Sequence, residues 1–186
     1  MQEVNTYVAK AFNRYRQIKT KEKRLCADTI LLHASQNHPS NQLGNLQVQF
    51  ADGSEMAHLN VDLNVDKTKS FKFRLMCDSF MPQPSYRFDS DGQTHRNPSA
   101  EGVTLKQRQV PPPHFHRFNE KGINIAYRTD VLIENEAEFL RDYNKALKLF
   151  CQEENIQTGA RLAVEPETLQ LGTCEFPDPL EGVEFQ

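Results

Sequence analysis

Alternating hydrophobicity between residues 46 and 77 is the sequence feature that most constrains the fold. Apolar side chains occupy every second position in three successive runs, and polar side chains lie between them. The alternating apolar residues are Leu46, Val48, Phe50, Leu59, Val61, Leu63, Val65, Phe71, Phe73, Leu75 and Cys77. Short turns at Asp52-Gly53 and at 66–68 separate the runs. A period of two interrupted by short turns predicts three half-buried strands, joined as an antiparallel meander with one apolar and one polar face.

Helical periodicity flanks the predicted meander on both sides. Residues 3–19 and 136–151 carry apolar side chains at spacings of three and four, which predicts an amphipathic helix in each range. Asn135 and Glu138 have the spacing of a capping pair at the start of the second helix. The predicted fold class is therefore α+β: an antiparallel β-sheet meander with an N-terminal helix and a later amphipathic helix packed on one face.

Length and composition limit the domain organisation and the partners. The chain has 186 residues, and we predict a single α+β domain over 1–156 followed by an acidic C-terminal extension over 157–186. The net charge of -3 does not by itself indicate a nucleic-acid partner. No apolar run approaches the length of a membrane span, the N-terminus has no signal-peptide core, and the four cysteines lack metal-binding spacing. These features predict a cytoplasmic protein with no membrane contact and no cofactor.

Two short segments carry an unusual set of polar side chains. The segment beginning at Tyr86 predicts a fourth strand, in which Arg87 and Asp89 extend the polar face of the meander. A second predicted strand, further along the chain, places His114 and His116 side by side because its side chains also alternate. We therefore expect these four polar residues to lie on the outward face of the sheet.

The long loop between these strands carries a third histidine, and we expect this loop to roof the outward face of the sheet. The three histidines together suggest RNA cleavage without a metal. That reaction needs an acid, a base and cations that bind the phosphate, roles that histidine and arginine fill near neutral pH. The acid–base candidates are His95, His114, His116 and Asp89, and the phosphate-binding candidates are Arg87, Arg96 and Arg117. Loops as long as 90–112 are more often functional than structural.

The order of residues in this region resembles a known family. The chain reads Y-R-F-D-x-x-G-x-x-H-R-N-P, then P-H-F-H-R-F-x-E-x-G-x-x-x-A-Y, and then an amphipathic segment ending F-C-Q-E-E-N-I. This order is similar to a bacterial family of small uncharacterised proteins, which in turn resembles the TumE-type toxins of toxin–antitoxin pairs. The resemblance covers about 71–156. It implies a small α+β fold, RNA cleavage and a separate antitoxin partner, and its matching positions are Arg87, Asp89, His95, Asn97, His114, His116 and Tyr127.

Other interpretations remain open from the sequence. A His-x-His pair on a strand points two imidazoles the same way, so His114 and His116 could hold a metal with His95 or Asp89. The acidic extension could instead bind a basic partner in a non-catalytic defence or mobile-element protein. The histidines could also be ordinary side chains of a turn and an exposed strand.

Overall fold

The computed structural model describes residues 3–38, 40–64, 66–67, 70–99 and 101–164. Its helices are α1 (Thr6–Lys10), α2 (Phe12–Thr20), α3 (Leu105–Arg108), α4 (Asp130–Glu134), α5 (Glu136–Arg141) and α6 (Tyr143–Glu153). Its strands are β1 (Lys23–Leu25), β2 (Thr29–Ala34), β3 (Asn41–Phe50), β4 (Met56–Asn64), β5 (Phe71–Met76), β6 (Tyr86–Asp89), β7 (His95–Arg96), β8 (Gln109–Val110), β9 (His114–Phe118), β10 (Asn124–Tyr127), β11 (Ile156–Gln157) and β12 (Arg161–Val164). None of these helices is long and apolar enough to cross a membrane.

One large and mostly antiparallel sheet dominates the fold, so the predicted α+β class is confirmed. Its strands follow the order β10-β9-β6-β5-β4-β3-β1-β11, and β2 pairs with both β3 and β12. The meander of β3, β4 and β5 has the predicted register, with Leu46 opposite Leu59 and Val61 opposite Phe73. Two pairings are parallel, β1 with β11 and β2 with β12.

The core lies on one face of this sheet, beneath α2 and α6. Tyr15 of α2 stacks on Tyr86 with ring centroids 4.8 Å apart, and Phe150 of α6 meets Phe73 at 5.8 Å. Tyr86 and Phe73 project from the same side of neighbouring strands, because Phe73 lies opposite Phe88 in the register. The helices therefore cover the apolar face and leave the polar face of β5, β6 and β9 for other elements.

Both predicted helices are interrupted, which corrects the expectation of two continuous ones. The N-terminal helix breaks at Ala11, whose φ of -138° and ψ of 47° are not helical. The later one breaks at Asp142, whose side chain accepts hydrogen bonds from the first amides of α6 and so starts a new helix there. The predicted cap was wrong: Asn135 makes no side-chain cap bond and donates instead to the carbonyl of Val131.

The predicted irregular loop contains a small structured unit. β7 and β8 pair as a two-stranded antiparallel sheet, and α3 lies between them in the chain. This unit places His95 opposite Val110. We call residues 95–99 and 101–110 the roof, because this unit brings His95 over the polar side chains described below.

The C-terminal part of the described chain completes the sheet. β12 pairs with β2 beyond the predicted domain boundary at 156, so residues 161–164 belong to the folded sheet. Residues 165–186, which make up most of the predicted acidic extension, lie outside the described residues.

Candidate active site

The register between β6 and β9 brings four polar side chains together. Arg87 lies directly opposite His116, and Asp89 lies opposite His114. Since side chains alternate along each strand, all four project from the same face. The prediction that these residues share one face is confirmed.

The imidazole of His116 lies at the centre of this cluster. Its Nε2 is 2.9 Å from Arg87 Nη2, 2.8 Å from His114 Nε2 and 3.3 Å from Asp89 Oδ2. Arg87 Nη2 also lies 3.0 Å from Asp89 Oδ2, so the guanidinium and the carboxylate form an ion pair beside the ring. When His116 is protonated, it too forms an ion pair with Asp89. A proton on His116 therefore has both a carboxylate and a second imidazole within reach.

A neighbouring asparagine fixes the orientation of the His116 ring. Asn124 Oδ1 lies 3.2 Å from His116 Nδ1, where an amide oxygen can only accept a hydrogen bond. The Nδ1 therefore carries a proton, and Nε2 is the atom that gains or loses one. Sequence reasoning missed Asn124. Strand β10 pairs with β9, and Ala126 lies opposite His116. Asn124 is two residues from Ala126 and therefore projects from the same face as His116.

The roof brings the third histidine over the cluster. The His95 ring lies nearly perpendicular to that of His116, with centroids 5.1 Å apart, and 6.4 Å from His114. Asn97 fixes the roof to β10: its Nδ2 donates to the carbonyl of Ala126 and its Oδ1 accepts from the amide of Ala126, each at 2.8 Å. Of the residues expected in the site, His95 therefore joins the cluster and Asn97 holds it there.

Burial beneath the roof changes the protonation of the cluster. His114 and His116 are only 2% and 5% exposed, so the outward face of the sheet that was expected to carry them is covered and not open to solvent. Burial, with the charge of neighbouring His116, lowers the pKa of His114 to about 4, and the same two causes lower the pKa of His95. Burial raises the pKa of Asp89, but the hydrogen bond from His116 and the charge of Arg87 outweigh it and leave this pKa below its usual value. At neutral pH the cluster thus holds an ionised Asp89 and a neutral His114.

A cleft of about 390 Å³ reaches the cluster from one side. It runs between α1 and the strands, and its lining includes Arg87, His116 and Asn124. His114 and Asp89 do not line it. The cleft therefore gives a ligand access to the arginine and to one imidazole, whereas the imidazoles of His95 and His114 do not line it.

Three other predicted site residues point elsewhere. Arg117 and Tyr127 lie on the opposite face of the sheet, where the Arg117 guanidinium lies 4.7 Å from the centre of the Tyr127 ring. The Tyr127 hydroxyl donates to Glu153 of α6 at 2.8 Å, so Tyr127 packs with the core side. The cause is the alternation of β9, which turns Arg117 away from His116. Arg96 follows His95 in β7 and is exposed for the same reason.

Comparison with family models, curated proteins and solved structures gave no match. The resemblance to TumE-type toxins therefore stays a prediction. The chemistry of the site follows from its geometry alone.

The cluster also contains a set of side chains of the kind that bind metal ions. Asp89, His114 and His116 each offer one ligand atom, and these atoms lie within 4.8 Å of one another. Two imidazoles and a carboxylate are a common set of zinc ligands. Arg87 opposes this use, because its cationic Nη2 lies 2.9 Å from the same His116 nitrogen that would bind the metal.

Proposed function

We propose that this protein cleaves RNA by acid–base catalysis at the cluster of Arg87, Asp89, His95, His114 and His116. The observation that carries the proposal is the convergence of a guanidinium, a carboxylate and three imidazoles in one cluster, of which Arg87 and His116 line the cleft. Such a set supplies the three things that cleavage of a phosphodiester requires: a cation, an acid and a base.

The phosphate would bind at Arg87. Its guanidinium lies at the cleft with one nitrogen held by Asp89 and His116, and its side chain remains about one third exposed. Arginine binds phosphate oxygens through parallel N–H donors, and that contact strengthens as negative charge develops on the oxygens. Phosphate at this position would lie next to His116.

RNA fits this site better than DNA because RNA carries its own nucleophile. In the proposed reaction a neutral imidazole takes the proton from the 2′-hydroxyl, and the 2′-oxygen then attacks the adjacent phosphorus. The bond from phosphorus to the 5′-oxygen breaks, and that oxygen takes a proton from a protonated imidazole. The products are a 2′,3′-cyclic phosphate and a 5′-hydroxyl end. DNA has no hydroxyl at the attacking position.

The geometry assigns different roles to the histidines. We assign the base to His95, because its lowered pKa keeps it neutral and its Nε2 has no hydrogen-bond partner among the described residues. That nitrogen is buried and His95 does not line the cleft, so the 2′-hydroxyl would have to reach it past His116. His116 suits the acid, because Asp89 pairs with its protonated form. His114 touches His116 Nε2 from behind and, because its lowered pKa keeps it neutral, suits a role in orienting the His116 ring. In keeping with the resemblance, we place this activity in the cytoplasm under the control of a separate antitoxin.

Cleavage of a labelled single-stranded RNA tests this proposal. His116→Ala and His95→Ala should each lower the cleavage rate by about 100-fold or more, since each removes an acid or base. His58→Ala on β4 is a matched control and should cleave like the wild type. The wild-type products should carry 2′,3′-cyclic phosphate ends, and cleavage should persist in a chelator. Wild-type rates in both cluster variants would refute the proposal.

A metal centre is the second candidate, favoured by the short distances among Asp89, His114 and His116. If a metal binds there, the purified protein should carry it in a stoichiometric amount, and His114→Ala should lose it. Cleavage that stops in a chelator and returns with zinc would replace acid–base catalysis by metal catalysis. Elemental analysis without a stoichiometric metal after incubation with zinc would eliminate this candidate.

A further inference from the structure

A second groove lies beside the catalytic cleft, between α2 and the hairpin of β9 and β10. Its volume is about 700 Å³. Tyr86, Arg117 and Phe118 line both this groove and the cleft that reaches His116. The two cavities therefore share part of their lining along β9.

The charge of the groove suits an anion. Arg16, Arg117 and Lys121 line it and are exposed, whereas Glu120 is the acidic residue in the lining. A fourth cation, Lys19, also lines the groove, but its ammonium group lies 2.5 Å from Glu153 and is largely neutralised. The local excess of positive charge contrasts with the net charge of -3 of the whole chain. This concentration of cations in one place favours a polyanionic ligand.

Aromatic rings form the floor of the groove. Phe12 and Phe118 are half-buried and line it, and each contacts the ring of Tyr15 at 6.0 Å, one stacked and the other edge-on. Tyr15 is itself immobilised: its hydroxyl donates to the carbonyl of Ser85 and accepts from the amide of Phe118, both at 2.9 Å. Rigid aromatic rings between cations are the arrangement on which unpaired bases stack while their phosphates are neutralised.

We propose that this groove binds the single-stranded RNA next to the bond that is cut. The inference rests on the proposed function for its choice of ligand. Arg117 then does bind phosphate, as the sequence suggested, but outside the histidine cluster. Bases would stack on Phe12 and Phe118, and backbone phosphates would lie against Arg16, Arg117 and Lys121.

Binding of a fluorescent 2′-O-methyl RNA tests this proposal separately from catalysis, since that RNA lacks the attacking hydroxyl. The double variant Arg16→Glu/Lys121→Glu should bind it at least tenfold more weakly than the wild type. Its plot of log affinity against log salt should also be shallower by about 1.4, because two phosphate contacts are lost. The matched control is Lys67→Glu/Lys148→Glu, which makes the same change in net charge outside both cavities.

The possible outcomes separate this proposal from the proposed function. If the groove double variant loses RNA binding and the control double variant binds within about twofold of the wild type, the groove is an RNA-binding site. That conclusion holds whether or not His116→Ala still cleaves RNA. Equal losses in both double variants, or no binding by the wild type, would refute the groove.

Discussion

His116 contacts four polar side chains, and each limits what its ring can do. Arg87, Asp89 and His114 approach one nitrogen, and Asn124 approaches the other. A ring held from both ends cannot rotate without breaking contacts on the buried side. At the scale of single residues, what the His116 ring can do chemically therefore depends on whether Nε2 carries a proton.

Asn124 is the residue whose removal tests that arrangement. Asn124→Ala should lower kcat by about tenfold or more with little change in KM, because His116 could then carry its proton on the wrong nitrogen. The pH dependence of kcat should shift as well, which a merely structural loss would not produce. Kinetics across pH 5–9 would measure both, with Asn60→Ala on β4 as the control. An unchanged pH profile would contradict the positioning role.

The lowered pKa of His114 makes a prediction about stability. Its usual pKa is 6.5 and its folded value is about 4, so between these values the unfolded chain binds more protons than the folded one. Stability from this group is therefore lost as the pH falls from 6.5 to 4. Compared with the wild type, the free energy of unfolding of His114→Asn should increase by up to about 1.4 kcal/mol for each unit that the pH falls over that range. Urea denaturation at several pH values would measure the difference, and a constant difference would contradict the assigned cause.

The strand alternation in the sequence was enough to group Arg87, Asp89, His114 and His116. It was not enough to show how deeply the histidines are buried, because the covering roof carries no periodic pattern. The role of Asn124 depends on the register of β10, which the sequence does not specify. Local patterns therefore predict which way a side chain points, but not what lies above it.

The chain segment at the start of helix α1 lines the cleft and is in close contact with the β9–β10 hairpin. The amide of Asn5 donates to the carbonyl of Gly122 at 2.8 Å, and Val4 bridges to Ile123. Gly122 has a φ of +71°, and a Cβ there would collide with the carbonyl oxygen of Asn5. At the scale of elements, one glycine sets how closely α1 approaches the site.

Gly122→Ala should therefore destabilise the protein by about 1–3 kcal/mol through both backbone strain and the collision. Gly53→Ala separates the two causes, because Gly53 also has a positive φ, of 68°, but no atom within 4 Å of the added Cβ. Denaturant unfolding of both variants would give the comparison. If Gly122→Ala lowers the free energy of unfolding no more than Gly53→Ala does, then α1 moves away from the added methyl group without loss of stability.

Elements were predictable where the sequence has a clear period. The runs containing Val48, Val61 and Phe73 gave β3, β4 and β5 because half-buried strands repeat every two residues. The helix breaks at Ala11 and Asp142 were not predictable, because apolar residues continue at helical spacing through both positions. A cap such as Asp142 competes with helix continuation by local hydrogen bonds that leave the apolar pattern intact.

The molecule as a whole is closed by pairing its last described strands with its first. β11 pairs with β1, and the turn between α6 and β11 buries Glu154 in the core, where it is only 1% exposed. Lys23 of β1 is fully buried beside it, and its ammonium donates to the carbonyls of Ile18, Lys19 and Lys21 at the end of α2. Parallel pairing of distant segments could not be predicted, because periodicity says nothing about a strand's partner.

Burial raises the pKa of Glu154 to about 8, against a usual value of 4.5. Between these values the folded state holds a proton that the unfolded state has lost, so stability falls as the pH rises from 4.5 to 8. Glu154→Gln removes this loss and should be more stable than the wild type at pH 8, with a flatter dependence on pH. Thermal or urea unfolding at pH 6–9 would measure it, with exposed Glu134→Gln as control. An unchanged slope would show that Glu154 is ionised in the fold.

The two hydrogen bonds between Asn97 and Ala126 have a further consequence. Strand β10 lies at one end of the sheet, and an unpaired strand end offers amide and carbonyl groups to which another polypeptide can add. The Asn97 amide group presents one donor and one acceptor to the backbone of Ala126, as a neighbouring strand would. The roof thus blocks the addition of a foreign strand at this point, and the residue that holds His95 over the histidine cluster also covers part of the edge of the sheet.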